Sequence, residues 1–181
     1  MPVISRVVPV LAVVGVFLAV SLSSAAAEDK TKPTQIATTK NWTAYTRTTP
    51  DGKVCYALAK PSASDPKKFK RDPVYLLIND WPNRKVKDEI QVVPGYAYKE
   101  DVPVTMTVGK LVVEFFSKND GNSGSAWVKD PADERKLLDV LRTGSKLVVA
   151  GTAKKGTKTK DTFSLAGVDV ILDKVHKACA R

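Results

Sequence analysis

The sequence predicts a mainly β fold: an antiparallel β-sandwich or barrel-like single domain with two short α-helices. About eight short runs of β-type residues are separated by turn residues, whereas only two segments carry apolar residues at helical spacing. Strands and helices do not alternate in the way that a parallel sheet requires. The length of 181 residues fits one domain and leaves no room for two of full size.

Residues 1–27 have the pattern of a secretory signal peptide. Arg6 supplies the positive charge of the n-region, and residues 7–22 are almost wholly apolar. Small residues precede a predicted cleavage site before Glu28. A retained membrane anchor is the less favoured alternative, because Pro9 interrupts a run that is shorter than the about 20 residues of a bilayer-spanning helix. We therefore expect an exported protein whose mature chain begins at Glu28.

The rest of the chain divides into a short leader and one domain. Residues 28–40 are polar, carry Pro33 and show no apolar period, so we expect a flexible leader. The predicted single β-rich domain spans residues 41–181. The leader connects the predicted cleavage site to this domain.

The first predicted strands are defined by the turns around them. Residues 42–47 and 54–59 are joined across Thr49-Pro50-Asp51-Gly52, a typical turn sequence. The continuous apolar run at residues 74–79 predicts a central strand, and residues 89–93 follow it as the next strand.

The middle of the chain contains the clearest hairpin. Residues 102–108 and 111–116 flank Gly109-Lys110, a two-residue connection of the kind found between antiparallel strands. A polar loop at residues 119–124 comes next, followed by the apolar residues 126–128.

Two segments have helical signals. Asp130 as N-cap, Pro131 at the first helical position and Gly144 as the stop predict a helix of about 12 residues. Apolar residues recur at helical spacing over residues 168–178 and predict a second helix, which would direct Cys179 inward.

Export gives the two cysteines a structural interpretation. Cys55 and Cys179 are the only ones, and an oxidising compartment favours a disulfide between them. The alternative is a nucleophilic dyad of Cys179 with His176, one helical turn away, but no third group is evident to orient the histidine. We expect the disulfide, which would tie the first strands to the C-terminus.

The remaining motifs argue against catalysis and against a metal site. With one His and two Cys, the chain lacks the four such ligands of a closed zinc site, and we predict no metal and no cofactor. Gly151 and Gly156 have the spacing of a phosphate-binding loop, but Thr157-Lys158 reverses the required order and no helix follows. We interpret this segment as the turn between strands 146–152 and 159–165. His176 is expected to be a solvated surface side chain.

Basic residues cluster in two loops that are far apart in the sequence. If the loops meet in space, their side chains form a candidate anion-binding patch; otherwise they are a well-charged surface. The patch consists of Lys67, Lys68, Lys70 and Arg71 from the first long loop and Lys154, Lys155 and Lys158 from the last hairpin. The expected partners are an envelope component or another protein, with an anionic membrane surface or polysaccharide as candidate ligands. Nucleic acid is not favoured, because export separates the protein from it and Phe69 is the only aromatic residue in these loops.

A series of short motifs runs through nearly all of the mature chain. They are Trp42, Cys55-Tyr56-Ala57 with Pro61, Pro94-Gly95-Tyr96, Trp127, residues 144–149, Gly156-Thr157, residues 161–167 and Cys179. In this order and spacing they resemble the invasion-associated locus B family of exported bacterial proteins.

The resemblance implies a location and a class of function. Members of the family are periplasmic, outer-membrane associated or secreted, and some are linked to host-cell entry. No enzymatic activity and no catalytic motif come with it, so we expect a non-enzymatic binding or interaction protein. Members tied to invasion often carry another cysteine just after the first tryptophan, whereas residues 43–46 here are Thr-Ala-Tyr-Thr. The alternative from a different class is a small periplasmic hydrolase with a carboxylate-based site.

Overall fold

The computed structural model of the protein describes residues 31–180. The predicted signal peptide and residues 28–30 of the predicted leader lie outside this range. The strands are β1 Thr34–Thr39, β2 Trp42–Thr49, β3 Gly52–Ala59, β4 Ala63–Asp65, β5 Tyr75–Trp81, β6 Val86–Val93, β7 Val104–Val108, β8 Leu111–Asp120, β9 Ser123–Val128, β10 Lys146–Thr152 and β11 Lys158–Ser164. The helices are α1 Pro131–Thr143 and α2 Val168–Cys179, with a 3₁₀ turn at Pro82–Arg84. Neither α-helix has the length and apolar character needed to cross a bilayer.

These strands form one antiparallel sheet. The eleven strands lie in the order β1-β2-β3-β5-β6-β9-β8-β7-β10-β11-β4. The predicted mainly β, antiparallel single domain with two helices is therefore confirmed. All eleven strands belong to a single hydrogen-bonded sheet, which is not a closed barrel, because β1 and β4 end the sheet without pairing with each other.

The sheet curls around a common core. The indole Nε1 of Trp42 in β2 donates a hydrogen bond to the carbonyl of Ser164 in β11, at 3.1 Å, although these strands lie near opposite ends of the strand order. One cluster of buried apolar side chains draws on strands from β2 to β11 and on both helices. α2 packs across β1, β2, β3 and β5, while α1 covers β6 to β9.

The predicted flexible leader is wrong for residues 34–39, which form the edge strand β1. This strand pairs antiparallel with β2, from Thr34 opposite Thr46 to Thr39 opposite Trp42. Most of its side chains are exposed, so it needs no apolar period, and its order comes from backbone hydrogen bonds to β2. The short strand β4, which pairs with β11, also has no apolar signal and was not predicted.

The local signals in the sequence correspond to real elements. The β2–β3 hairpin closes where Thr49 pairs with Gly52, and the β7–β8 hairpin closes across Gly109-Lys110. Gly109 has φ +57°, a left-handed conformation that favours glycine. At the start of α1, the Asp130 carboxylate accepts a hydrogen bond from the backbone N–H of Ala132 at 2.8 Å, which confirms the predicted N-cap.

The predicted disulfide is present and fastens α2 to the sheet. Cys179, at the end of α2, is bonded to Cys55 in β3. The apolar face of α2, with Ile171, Leu172 and Val175 fully buried, packs against the same side of the sheet. The bond therefore holds α2 over the core. Because the sulfur of Cys179 is in a disulfide, this residue cannot act as a thiol nucleophile.

A buried ion pair fixes the first long loop. The guanidinium of Arg71 donates hydrogen bonds to both carboxylate oxygens of Asp161 in β11 and to the carbonyl of Pro94 at 3.0 Å. The Arg71 and Asp161 side chains are only 7% and 4% exposed. Asp161 also accepts a hydrogen bond from Ser64 Oγ at 2.7 Å, and Phe69 lies beside the guanidinium, with its ring centroid 5.9 Å from Cζ. Arg71 is therefore part of the scaffold and not a solvated loop cation.

The disulfide should contribute strongly to stability. Changing both cysteines to serine should lower the free energy of unfolding by roughly 2–5 kcal/mol, because the bond constrains an unfolded chain across a separation of 124 residues. Urea denaturation of parent and variant, each with and without dithiothreitol, measures the effect. Reductant should bring the parent to the midpoint of the variant and leave the variant unchanged. Equal midpoints for the oxidised parent and the variant would contradict this role.

Arg71 and its neighbour Lys70 should differ sharply when each is changed to alanine. Arg71→Ala leaves the Asp161 carboxylate buried without its cation, so we expect a loss of roughly 3–5 kcal/mol in the free energy of unfolding. Lys70 is exposed, and Lys70→Ala, the matched control, should stay within about 0.5 kcal/mol of the parent. Chemical denaturation curves decide the matter. The scaffold role of Arg71 is refuted if the two variants unfold at the same denaturant concentration.

Candidate functional site

The two predicted basic loops meet at a cavity of about 610 Å³. We call it the basic cavity; it is lined by residues 69–72 from the β4–β5 loop, residues 95–97, Asn122, and Ala153, Lys154, Lys155 and Thr157 from the β10–β11 turn. Residues 94–99 lie between the two loops and bind each of them through the backbone. Asp72 N–H donates to Gly95 O at 3.0 Å, and Lys154 N–H donates to Ala97 O at 2.8 Å.

Gly95 allows one of these contacts by its lack of a side chain. Its φ of +75° lies in the left-handed region, and a Cβ added there would come 2.0 Å from the carbonyl oxygen of Asp72. Any other residue would push the β4–β5 loop away from the bridging segment, so the Pro94-Gly95-Tyr96 motif has a structural reason.

The structure divides the seven predicted patch residues into three groups. Lys70, Lys154 and Lys155 are exposed and line the basic cavity, with no ion-pair partner among residues 31–180. Arg71 lines it as well, but its charge is compensated by Asp161. The other three lie outside it: they are Lys67, Lys68 and Lys158.

The charge of the basic cavity is positive overall. Its three free lysines face a single carboxylate from its own lining, that of Asp72. Burial raises the pKa of the Tyr96 phenol, which therefore stays neutral at physiological pH and adds no negative charge. The Tyr96 hydroxyl lies 2.6 Å from Thr159 Oγ1, and its ring meets Phe69 edge to face with centroids 5.7 Å apart. The lining thus combines lysine ammonium groups with a rigid aromatic wall.

A second group of polar side chains was not predicted from the sequence. Asp80 at the end of β5, Asp88 in β6 and His176 in the last turn of α2 converge; we call them the Asp–His cluster. His176 Nε2 lies 2.7 Å from Asp88 Oδ1 and 3.9 Å from Asp80 Oδ2. The Asp88 backbone N–H donates to Asp80 Oδ1 at 2.8 Å.

The prediction that His176 is a solvated surface side chain is therefore wrong. Its side chain is 22% exposed and is held against two carboxylates. It lies 88 residues from Asp88 in the sequence, so no local pattern indicates the contact. The pairing depends on the β5–β6 register, which shifts between Asn79 and Trp81 and places Asp88 in a left-handed conformation with φ +60°.

The Asp–His cluster lies beside a second cavity, of about 440 Å³, lined by Asp80, Pro82, Lys85, Val86, Lys87, His176, Cys179 and Ala180. Burial raises the pKa of the Asp80 carboxyl, an effect that the hydrogen bond from the Asp88 N–H partly offsets. These lining residues include no hydroxyl side chain, and the sulfur of Cys179 is in the disulfide. The site therefore offers a base and carboxylates, but no side-chain nucleophile of the serine or cysteine type.

Comparisons with known proteins identify the family. The sequence model described as invasion associated locus B (IalB) protein matches residues 42–176, most of the chain. No curated protein matches it. The crystal structure of invasion associated protein B from Bartonella henselae has a similar fold, with a TM-score of 0.51 and 17% sequence identity over 80% of this chain and 98% of that chain. At this identity the structural likeness concerns the fold alone. On the match of the family model, the chain belongs to the invasion-associated locus B family.

Proposed function

We propose that the protein is an exported, non-enzymatic binding protein that holds an anionic group of an envelope component in the basic cavity. The observation that carries the proposal is the convergence of Lys70, Lys154 and Lys155 on one cavity, from two loops that lie far apart in the sequence. Mature location in the periplasm, at the outer membrane or in the secreted fraction follows from the predicted signal peptide and is part of the proposal.

The lining of the basic cavity determines the chemistry of the proposed ligand. Clustered lysines raise the local concentration of anions through their summed potential, although each exposed ion pair is worth only about 0–1 kcal/mol. Phe69 and Tyr96 add an apolar wall, which is the usual complement to a few charged groups in a ligand pocket. A phosphate or carboxylate attached to a sugar ring or a lipid headgroup satisfies both features.

The basic cavity supports binding better than catalysis. The only histidine in the chain lies in the Asp–His cluster and not among the residues that line the basic cavity. The one hydroxyl of its lining besides that of Tyr96 belongs to Thr157, which therefore has no adjacent imidazole to act as its base.

One observation favours the alternative of a carboxylate-based hydrolase. Asp80, a buried carboxyl with a raised pKa, lines a cavity together with His176, and perturbed groups of this kind are enriched in active sites. Such an enzyme would use a carboxylate as its nucleophile or would activate water through His176 and Asp88, since no serine or cysteine nucleophile lines that cavity. Hydrolysis of chromogenic ester, phosphoester or glycoside substrates that disappears in Asp80→Asn would favour this alternative.

Charge reversal inside the basic cavity should abolish anion binding. The triple variant of Lys70, Lys154 and Lys155 to glutamate should lose sedimentation with phosphatidylglycerol vesicles or retention on an acidic polysaccharide. The matched control reverses Lys67, Lys68 and Lys158, which gives the same net charge outside the cavity, and it should keep most of the binding. Binding of the parent should weaken with salt, since the Debye length falls from about 10 Å at 0.1 M to about 3 Å at 1 M.

The two probes and two variants separate the outcomes of this experiment. Preference for vesicles identifies a lipid headgroup as the source of the anion, and preference for the polysaccharide identifies a saccharide. An equal loss of binding in both triple variants would show that binding depends on the positive surface as a whole and not on the basic cavity. A parent protein that binds neither probe at low salt would refute the anion-binding proposal.

Processing at the predicted site tests export. Intact-mass spectrometry of the protein from a bacterial envelope fraction should find a mature chain that begins at Glu28, because small residues precede that position. Recovery of the chain with Met1 still attached, resistant to alkaline extraction, would instead show a retained anchor.

A further inference from the structure

We propose that the Asp–His cluster is a binding site for a divalent transition-metal ion, with Zn²⁺ as the best match. One donor atom from each of Asp80, Asp88 and His176 can be chosen so that all three lie within 4.8 Å of one another. The three residues come from β5, β6 and α2, so the fold and not a local sequence motif creates the site. It goes beyond the proposed anion binding and does not depend on it.

The spacing of the donor atoms fits a metal ion after small side-chain adjustments. Zinc bonds of about 2.0–2.1 Å to nitrogen and oxygen place neighbouring tetrahedral ligands about 3.3 Å apart. His176 Nε2 is 2.7 Å from Asp88 Oδ1 and 3.9 Å from Asp80 Oδ2, so the two separations lie on either side of that value. Widening the first and narrowing the second by about 0.6 Å gives these two pairs the spacing of neighbouring zinc ligands. The third pair, between the two carboxylates, already lies within 4.8 Å.

Asp80 provides an independent indication that a cation belongs here. Its side chain is only 8% exposed, and Oδ1 accepts the Asp88 N–H, but Oδ2 points toward His176 Nε2 from a distance beyond hydrogen bonding. Its one ion-pair neighbour among residues 31–180 is His176, which carries a charge only when its imidazole is protonated. A buried carboxylate normally has a cation or a full set of hydrogen bonds to offset its lost hydration. A metal ion bound to Oδ2 would provide that compensation.

The surroundings hold the donor atoms in place and leave the site open. The hydrogen bond from Asp88 N–H orients the Asp80 carboxylate, as outer contacts do in known metal sites. Cys55 pairs with Asp80 in the β3–β5 register, and the bond from Cys55 to Cys179 fixes the last turn of α2, with His176, above that strand. The adjoining cavity of about 440 Å³ has room for water ligands to complete the coordination.

The donor set selects the class of metal. Imidazole nitrogen together with carboxylate oxygen suits Zn²⁺ and related first-row ions, whereas Ca²⁺ and Mg²⁺ prefer oxygen ligands alone. Lys85 and Lys87 line the same cavity and oppose a cation, but both are exposed, so water screens their charges. Three protein ligands with an open position are typical of exchangeable or reactive zinc sites and not of closed structural ones.

Calorimetric titration of the exported protein, purified without an affinity tag and with its disulfide intact, tests the proposal. Zn²⁺ should bind with a stoichiometry of one per chain, and Ca²⁺ should show no binding. His176→Ala should weaken Zn²⁺ binding by about tenfold or more, because it removes one of three ligands. Asp173→Asn is the matched control, since Asp173 is an exposed carboxylate on the same helix, and it should bind as the parent does.

A second measurement keeps the test decisive if His176→Ala does not fold. His176 is the only histidine, so the imidazole nitrogen signals of the ¹⁵N-labelled parent report on this site alone. One equivalent of Zn²⁺ should shift the Nε2 resonance, and Ca²⁺ should leave it unchanged. The proposal is overturned if the imidazole signals do not respond to saturating Zn²⁺, or if a folded His176→Ala variant binds Zn²⁺ as tightly as the parent.

Discussion

The attachment of α2 to β3 by the Cys55–Cys179 bond is the constraint on which the core and the Asp–His cluster both depend. The helix covers the apolar face of β1, β2, β3 and β5, and its last turn is fixed where Cys55 lies opposite Asp80. Cys179 Sγ itself lies 3.7 Å from the Asp80 carbonyl oxygen. A covalent bond that stabilises the fold therefore also determines which polar side chains meet. The Cys55–Cys179 bond both holds α2 on the sheet and positions the residues of the Asp–His cluster.

Local chemistry in the sequence was sufficient to predict many of the elements. The Asp130 N-cap, the Gly109-Lys110 turn and the apolar spacing in α2 act over a few residues, and all three correspond to the structure. The edge strands β1 and β4 were missed because their order comes from backbone pairing with β2 and β11, which leaves no apolar pattern. The curl that brings Trp42 to Ser164 is likewise a property of the whole sheet, so no short segment indicates it.

The candidate sites were predictable only in part, for the same reason. The run of basic residues identifies each loop in the sequence. The two loops are brought together by backbone hydrogen bonds to residues 94–99, and neither loop's own sequence indicates these bonds. The sequence does not distinguish Arg71 from the surface lysines, because its partner, Asp161, lies 90 residues away. No pattern in the sequence indicates the Asp–His cluster, because Asp88 and His176 lie 88 residues apart and two carboxylates with one imidazole do not form a recognisable zinc motif.

The separation of scaffold charge from free charge around the basic cavity has an evolutionary consequence. Arg71 and Asp161 are bound to the fold and to each other, whereas Lys70, Lys154 and Lys155 stand on its surface. Substitutions at the three exposed lysines cost little stability, and so can change the charge of the basic cavity without disturbing the fold. Arginine and aspartate, by contrast, must be kept or lost together. The charge of the cavity can thus change in evolution while the frame around it stays the same.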